Sequence, residues 1–346
     1  MSLQATIVKL MMKLPDGMKR RLAGGKAVEL GGRTLDVNLQ LLAHGASRQP
    51  PMSSMEPEAA QAASKQGLAM FMGTAEPGVS WRDQTIPSRG KHTIPVRIYR
   101  PDKQDPTKPL LTYYHMGGGV IGDLDTCHQF CQILATRIGC PVVCVDYRLA
   151  PQHKFPAGLE DCIDSYEWSL RNAESLGAPA GQAMVGGDSM GGNFTAIVTQ
   201  EMLRQEKPLP DLQLMIYPAT DLVSEFPSYT TYGETYPLSA DTMQWFMGHY
   251  LPSDDFDKSH LQLSPALERR LDELPPAIIA TAGFDPLVDD GAAYAKKLED
   301  AGVPVSYVCY DSLAHGFTAF TEVTPAARQA CEDIADMVKK QLGGRS

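Results

Sequence analysis

The stretch AMVGGDSMGG, residues 183–192, decides how this chain is read. A short apolar run, AMVGG, passes into Asp188-Ser189-Met190-Gly191-Gly192, and a helical pattern over 190–204 begins at once. The spacing is G-x-S-x-G between a strand and a helix. Glycines at 187 and 191 are what a strained turn requires, because a Cβ there would collide with neighbouring backbone. Such a turn lifts the Ser189 hydroxyl clear of the sheet. It also sets that hydroxyl at a helix N-terminus, where the dipole favours developing negative charge.

The pattern continues outward from this turn. VSWRDQTIP and IPVRIYRP read as strands from about residue 79. Further strand candidates are LTYYHM (111–116), PVVCVDY (141–147), LQLMIYP (212–218), AIIATAG (277–283) and VSYVCY (305–310). Helical patterns fall near 126–138, 157–172, 190–204, 290–301 and 325–342. Strands alternating with helices predict βαβ units and a mostly parallel sheet covered on both faces. Ligands of such sheets sit at the carboxyl ends of the strands, so the loops there are the candidate site.

Two regions depart from this rhythm. Residues 1–75 read as helical, with Ile7, Leu10, Met11 and Leu14 on one face and a Ser/Pro/Met-rich loop or mobile linker at 46–58. Residues 222–265 show no clear strand and carry Phe226, Tyr229, Tyr232, Tyr236, Trp245, Phe246 and Tyr250, as an insertion would. Together they are expected to form a cap over a body made of 76–221 and 266–346.

Composition narrows the partners. With 43% hydrophobic residues over 346, the chain can build a large core, and its formal net charge of −10 gives no basic footprint for nucleic acid. No apolar run is long enough for stable membrane insertion, and the N-terminal pattern is not that of a signal peptide. Seven cysteines without paired CxxC spacing read as reduced thiols in a cytoplasmic protein, with no metal or cofactor expected.

A serine hydroxyl is a weak nucleophile at neutral pH. It needs a base within hydrogen-bond reach, and the base needs an orienting carboxylate. With a turn of this kind the order along the chain is serine, acid, histidine. After Ser189 the histidines are His249, His260 and His315, and the first two lie in the inserted region. His315, in SLAHGF, follows a strand. Asp285, in TAGFDPL, also follows one, whereas Asp289 fits a helix-end carboxylate and Asp311 is too close along the chain to face His315. The glycines of HMGGGVIG (115–122) lack the Lys-Ser/Thr pair or G-x-G-x-x-G of a phosphate loop. They suit N–H donation to an oxyanion, with Met190 supplying a second source.

HMGGGVIGD, DYRLAPQHKFPAGLED (146–161), GGDSMGG, GFDPLVDDG (283–291) and AHGF (314–317) together resemble the hormone-sensitive-lipase-like, bacterial family IV branch of the α/β-hydrolases. The resemblance spans roughly 79–343. It implies an eight-stranded, mostly parallel α/β-hydrolase sheet with helices on both faces and a helical cap. It implies a carboxylesterase acting on short- to medium-chain esters, with catalytic Ser189, Asp285 and His315 and oxyanion donors Gly117, Gly118 and Met190. It also gives His115 a structural role, and Asp146, Tyr147 and Arg148 that of holding the oxyanion loop. A small-molecule ester is then the partner, and a homodimer through the sheet edge near 305–310 is possible. Three positions depart from the family pattern: Met116 replaces a glycine, Gly119 replaces an aromatic, which is expected to open the pocket wall, and Met190 stands where the family usually has alanine, which leaves its N–H unaffected but changes the packing near the nucleophile. Amidase or lactonase chemistry on the same residues, and a binding protein on a hydrolase fold, are the alternatives; the retained His315 speaks against the latter.

Overall fold

The computed structural model describes residues 10–71 and 73–344. Its centre is an eight-stranded sheet in the order β10-β9-β8-β7-β5-β6-β4-β3. The strands are β3 (Val79–Pro87), β4 (Thr93–Pro101), β5 (Leu110–Tyr114), β6 (Val142–Val145), β7 (Ala183–Asp188), β8 (Gln213–Ile216), β9 (Ala277–Phe284) and β10 (Val305–Ala314). The ladders from β6 to β10 are parallel, and the antiparallel pairs are β3 with β4 and β4 with β6.

Side chains of the central strands alternate between two cores, as a strand period of two requires. Leu111, Tyr113, Val142, Cys144, Met184 and Leu214 point to one face, under α4 (His128–Leu134) and α10 (Pro325–Gly343). Leu110, Tyr114, Val143, Val145 and Val185 point to the other, under α5 (Ala157–Asn172) and α6 (Met190–Arg204). There, α9 (Val288–Asp300) adds a third cluster with Met215 and Ile279. Because both faces are covered, the strands read as near-continuous apolar runs.

Before the sheet come α1 (Asp16–Leu22), a hairpin of β1 (Glu29–Leu30) and β2 (Arg33–Thr34), α2 (Val37–Ala46) and α3 (Pro57–Phe71). The region is therefore not helical throughout. Gly31 and Gly32, both at positive φ, turn the hairpin. Of the expected N-terminal apolar face, Ile7 lies outside the described residues, Leu10 is exposed, and Met11 and Leu14 are half-buried; Met12, which is not on that face, packs against the core. The loop at 46–58 carries a 3-10 turn at Met52–Ser54. Residues 222–265 contain two helices, α7 (Pro227–Thr231) and α8 (Ala240–Tyr250), and no strand. The indole Nε1 of Trp245 on α8 donates to the Met55 carbonyl at 3.1 Å, joining this region to the N-terminal one.

Candidate active site

Ser189 sits between β7 and α6 with φ 56° and ψ −117°, a backbone conformation that side-chain-bearing residues rarely adopt. The surroundings over-determine it. Its N–H donates to the Ile216 carbonyl at 2.8 Å. A Cβ on Gly187 would lie 2.7 Å from the Tyr114 oxygen, and one on Gly191 2.6 Å from the Tyr114 carbonyl carbon. The turn is thus wedged against the end of β5, and only glycine fits at both positions.

The three candidate residues meet. His315, directly after β10, places Nε2 2.9 Å from Ser189 Oγ and Nδ1 2.7 Å from Asp285 Oδ2. Asp285, directly after β9, is fully buried, and its Oδ1 accepts the Leu287 N–H at 2.9 Å. A carboxylate oxygen of Asp285 can accept the Nδ1–H of the neutral ring, which leaves Nε2 to accept the Ser189 O–H. Ser189 and His315 are 8% and 7% exposed, so the pair is shielded from bulk water yet reachable. Asp289 is elsewhere: from the first turn of α9 it accepts the Ser228 N–H of α7 at 2.9 Å. Asp311 pairs with Arg33 at 2.8 Å.

The loop 116–119 lies beside this turn. Gly117, Gly118 and Gly119 have φ of 129°, 62° and 73°. The Gly117 carbonyl accepts from Val120 and Ile121, both at 3.0 Å, while Ala150 N–H holds the Gly119 carbonyl at 2.8 Å. His115 is buried and stacks on Tyr147 at 4.2 Å, and the Tyr147 hydroxyl donates to the His115 carbonyl at 2.7 Å. Arg148 reaches the other way, to Asp161, with Nε 2.9 Å from Oδ2. Asp146 is half-buried near His115, and burial pushes its carboxyl up to about 6. So Tyr147 braces the glycine loop directly, whereas Arg148 ties its own segment to α5.

Gly119 does not leave an opening. A Cβ there would meet the Tyr250 ring at 2.6 Å, and a Cβ on Gly118 would meet Phe246 Cδ1 at 2.5 Å. Both rings come from α8, so the space expected to lie open is filled from the inserted region. Met116 packs beside the histidine loop: its sulfur would be 3.4 Å from a Cβ on Gly316, the neighbour of His315.

Sequence reasoning missed a polar group beneath the histidine. Tyr217, at φ 36° after β8, packs its ring 4.6 Å from the His315 ring. Its hydroxyl donates to Asp188 Oδ2 at 3.0 Å, and Thr318 Oγ1 donates to the same oxygen at 2.8 Å. Asp188 is fully buried, and desolvation pushes its carboxyl above the usual range. An aspartate at the end of a wholly buried strand, AMVGGD, was the available signal.

A mostly parallel sheet with a strained serine turn, and a histidine and an aspartate delivered by later strand ends, defines an α/β-hydrolase. The sequence pattern described as the alpha/beta hydrolase fold matches residues 111–319. The chain is 36% identical over 311 residues to ethyl acetate hydrolase of Pseudomonas putida, covering 88% of this chain and 97% of that protein. It is 38% identical over 343 residues to the carboxylic ester hydrolase LipN of Mycobacterium tuberculosis, covering 97% and 90%. Among solved structures, an ester-hydrolase from the metagenome of Lake Arreo superposes with a TM-score of 0.85 at 35% identity, covering 89% of this chain and 99% of that one. A hyperthermophilic esterase from the archaeon Pyrobaculum calidifontis gives 0.83 at 35%, covering 88% and 98%. The chain belongs to the α/β-hydrolase family, in its hormone-sensitive-lipase-like branch, and with it to the carboxylic ester hydrolases.

Proposed function

We propose that this protein is a serine carboxylesterase that cleaves short- to medium-chain esters through an acyl-enzyme. The observation that carries the reading is the continuous hydrogen-bonded line from Asp285 through His315 to Ser189. Ser189 Oγ attacks the ester carbonyl as His315 Nε2 takes its proton. Asp285 holds the ring in the required tautomer and stabilises the imidazolium. The N–H groups of Gly117, Gly118 and Met190 stabilise the tetrahedral oxyanion. His315 then protonates the departing alcohol, and water, deprotonated by the same nitrogen, releases the acid.

Residues 1–75 and 222–265 act as a cap in this reading, which the Trp245–Met55 bond supports. β10 ends the sheet and is the edge through which a homodimer would pair; sedentary monomer behaviour in analytical ultracentrifugation at all concentrations would remove that part. No helix among the described residues is long and apolar enough to cross a membrane. The seven cysteines are free, six of them buried, which supports a reducing, cytoplasmic setting to be checked by cell fractionation.

The test is hydrolysis of p-nitrophenyl esters from acetate to palmitate by the wild type and by Ser189→Ala. Turnover of the short esters is expected, with a loss on the order of 10³-fold or more in the variant. A variant that retains wild-type turnover overturns the reading.

A further inference from the structure

Two aromatic rings of α8 rest on the two glycines that follow Gly117. Phe246 occupies the space next to Gly118, where a Cβ would lie 2.5 Å from its Cδ1 and 2.8 Å from its own Cβ. Tyr250 occupies the space next to Gly119, at 2.6 and 2.7 Å from its Cδ2 and Cε2. The two are four residues apart on one helix, so they present a single face. Their settings differ. Tyr250 is 1% exposed and keyed into the body of the enzyme: it packs edge-on against Phe155 at 5.9 Å and lies 6.4 Å from Phe194 of α6, while its carbonyl accepts the Phe155 N–H at 2.9 Å. Phe246 has a ring partner only in its helix neighbour Trp245 among the described residues, at 5.3 Å, and it retains 8% exposure.

We infer that Phe246 sets the length of acyl chain the enzyme accepts, while Tyr250 is a positioning residue that keeps the glycine loop in shape. This rests on the reading of Ser189 as nucleophile and Gly118 as an oxyanion donor. An acyl carbonyl whose oxygen is bound at Gly118 has its chain beside the ring that covers Gly118. The ring is a rigid apolar stop, and hydrophobic pockets discriminate by the methylenes they can or cannot accommodate. Tyr250 acts on the loop itself, whose donors matter most in the transition state, so its loss lowers kcat for every chain length alike.

The experiment is a set of kcat/KM values for p-nitrophenyl acetate, butyrate, hexanoate and octanoate, with a parallel series of alkyl acetates. The proteins are wild type, Phe246→Ala, Phe246→Leu, Tyr250→Leu and Tyr250→Phe. Shortening Phe246 is expected to raise the hexanoate-to-acetate ratio by about tenfold, more for alanine than for leucine. Tyr250→Leu is expected to lower kcat across the acyl series with that ratio unchanged, and Tyr250→Phe to keep kcat near the wild-type value, because the Tyr250 hydroxyl has no hydrogen-bond partner among the described residues. The inference is overturned if the ratio stays at the wild-type value in both Phe246 variants, the leucine variant being folded by its melting curve. It is equally overturned if only the alkyl acetate series responds. Neither result touches the nucleophile, whose own failure would appear as turnover by Ser189→Ala.

Discussion

At the scale of single residues, the two aspartates near the histidine separate sharply. Asp285 faces His315 Nδ1 at 2.7 Å, while Asp289 holds the Ser228 N–H. Asp285→Asn keeps the shape of the side chain but favours the wrong imidazole tautomer. It is expected to lower kcat on the order of 10⁴-fold with little change in melting temperature. Asp289→Asn should leave kcat within a few-fold and instead loosen α7, seen as earlier amide exchange there. The reverse pattern in the two variants would exchange their roles. This distinction was legible in the sequence because both residues are placed by one strand end, and only the nearer one can reach a histidine at the end of the adjacent strand. The Tyr217–Asp188–Thr318 group was not legible, because its members come from three separate strand ends and nothing in their spacing joins them. Tyr250 was hidden for a similar reason. A glycine at 119 declares that a side chain is missing, but not that a helix 131 residues later supplies one.

At the scale of elements, glycine has opposite meanings in the serine turn and in α8. A methyl group on Gly191 would be driven into the Tyr114 carbonyl and lie 2.9 Å from the His115 oxygen, both backbone atoms that cannot step aside. Gly191→Ala must therefore shift the start of α6 or the end of β5. A destabilisation of about 2 kcal/mol or more is expected, with most of the activity lost. Gly248, inside α8, has no atom of the described residues within 4 Å of its missing Cβ beyond its chain neighbours and the backbone of its own helix. Gly248→Ala should stabilise by roughly 0.5–1 kcal/mol through helix propensity alone. Denaturant melts of the two variants measure both signs, and a stable, active Gly191→Ala protein would refute the wedged turn. The α5 and α6 boundaries were legible in the sequence to the residue, since their apolar periodicity is continuous. The β1–β2 hairpin was missed because two-residue strands carry no period at all.

At the scale of the whole molecule, the charge balance of the body depends on a carboxyl that is not in the reacting line. Asp290 is 1% exposed, accepts the Thr220 N–H at 2.8 Å and the Thr220 hydroxyl, and anchors the segment after β8 to α9. Burial pushes its carboxyl up to about 7, with the neighbouring Asp221 charge adding to the effect. The folded state thus holds a proton that the unfolded chain releases near pH 4. The contribution is most favourable below that value and is progressively lost as pH rises to about 7, above which the full cost of ionising a buried group is present. Carboxylates such as Asp83, Asp123 and Glu201 act in the opposite sense, being held below their ordinary range by Arg97, Lys65 and Arg204, so the net curve of the wild type mixes both signs. The difference between wild type and Asp290→Asn isolates the one group. The variant is expected to gain stability relative to wild type by on the order of 2 kcal/mol between pH 5 and pH 8 in urea melts. A difference that stays flat, or falls, over that interval would mean that Asp290 is already ionised when folded and is held by its hydrogen bonds despite its burial.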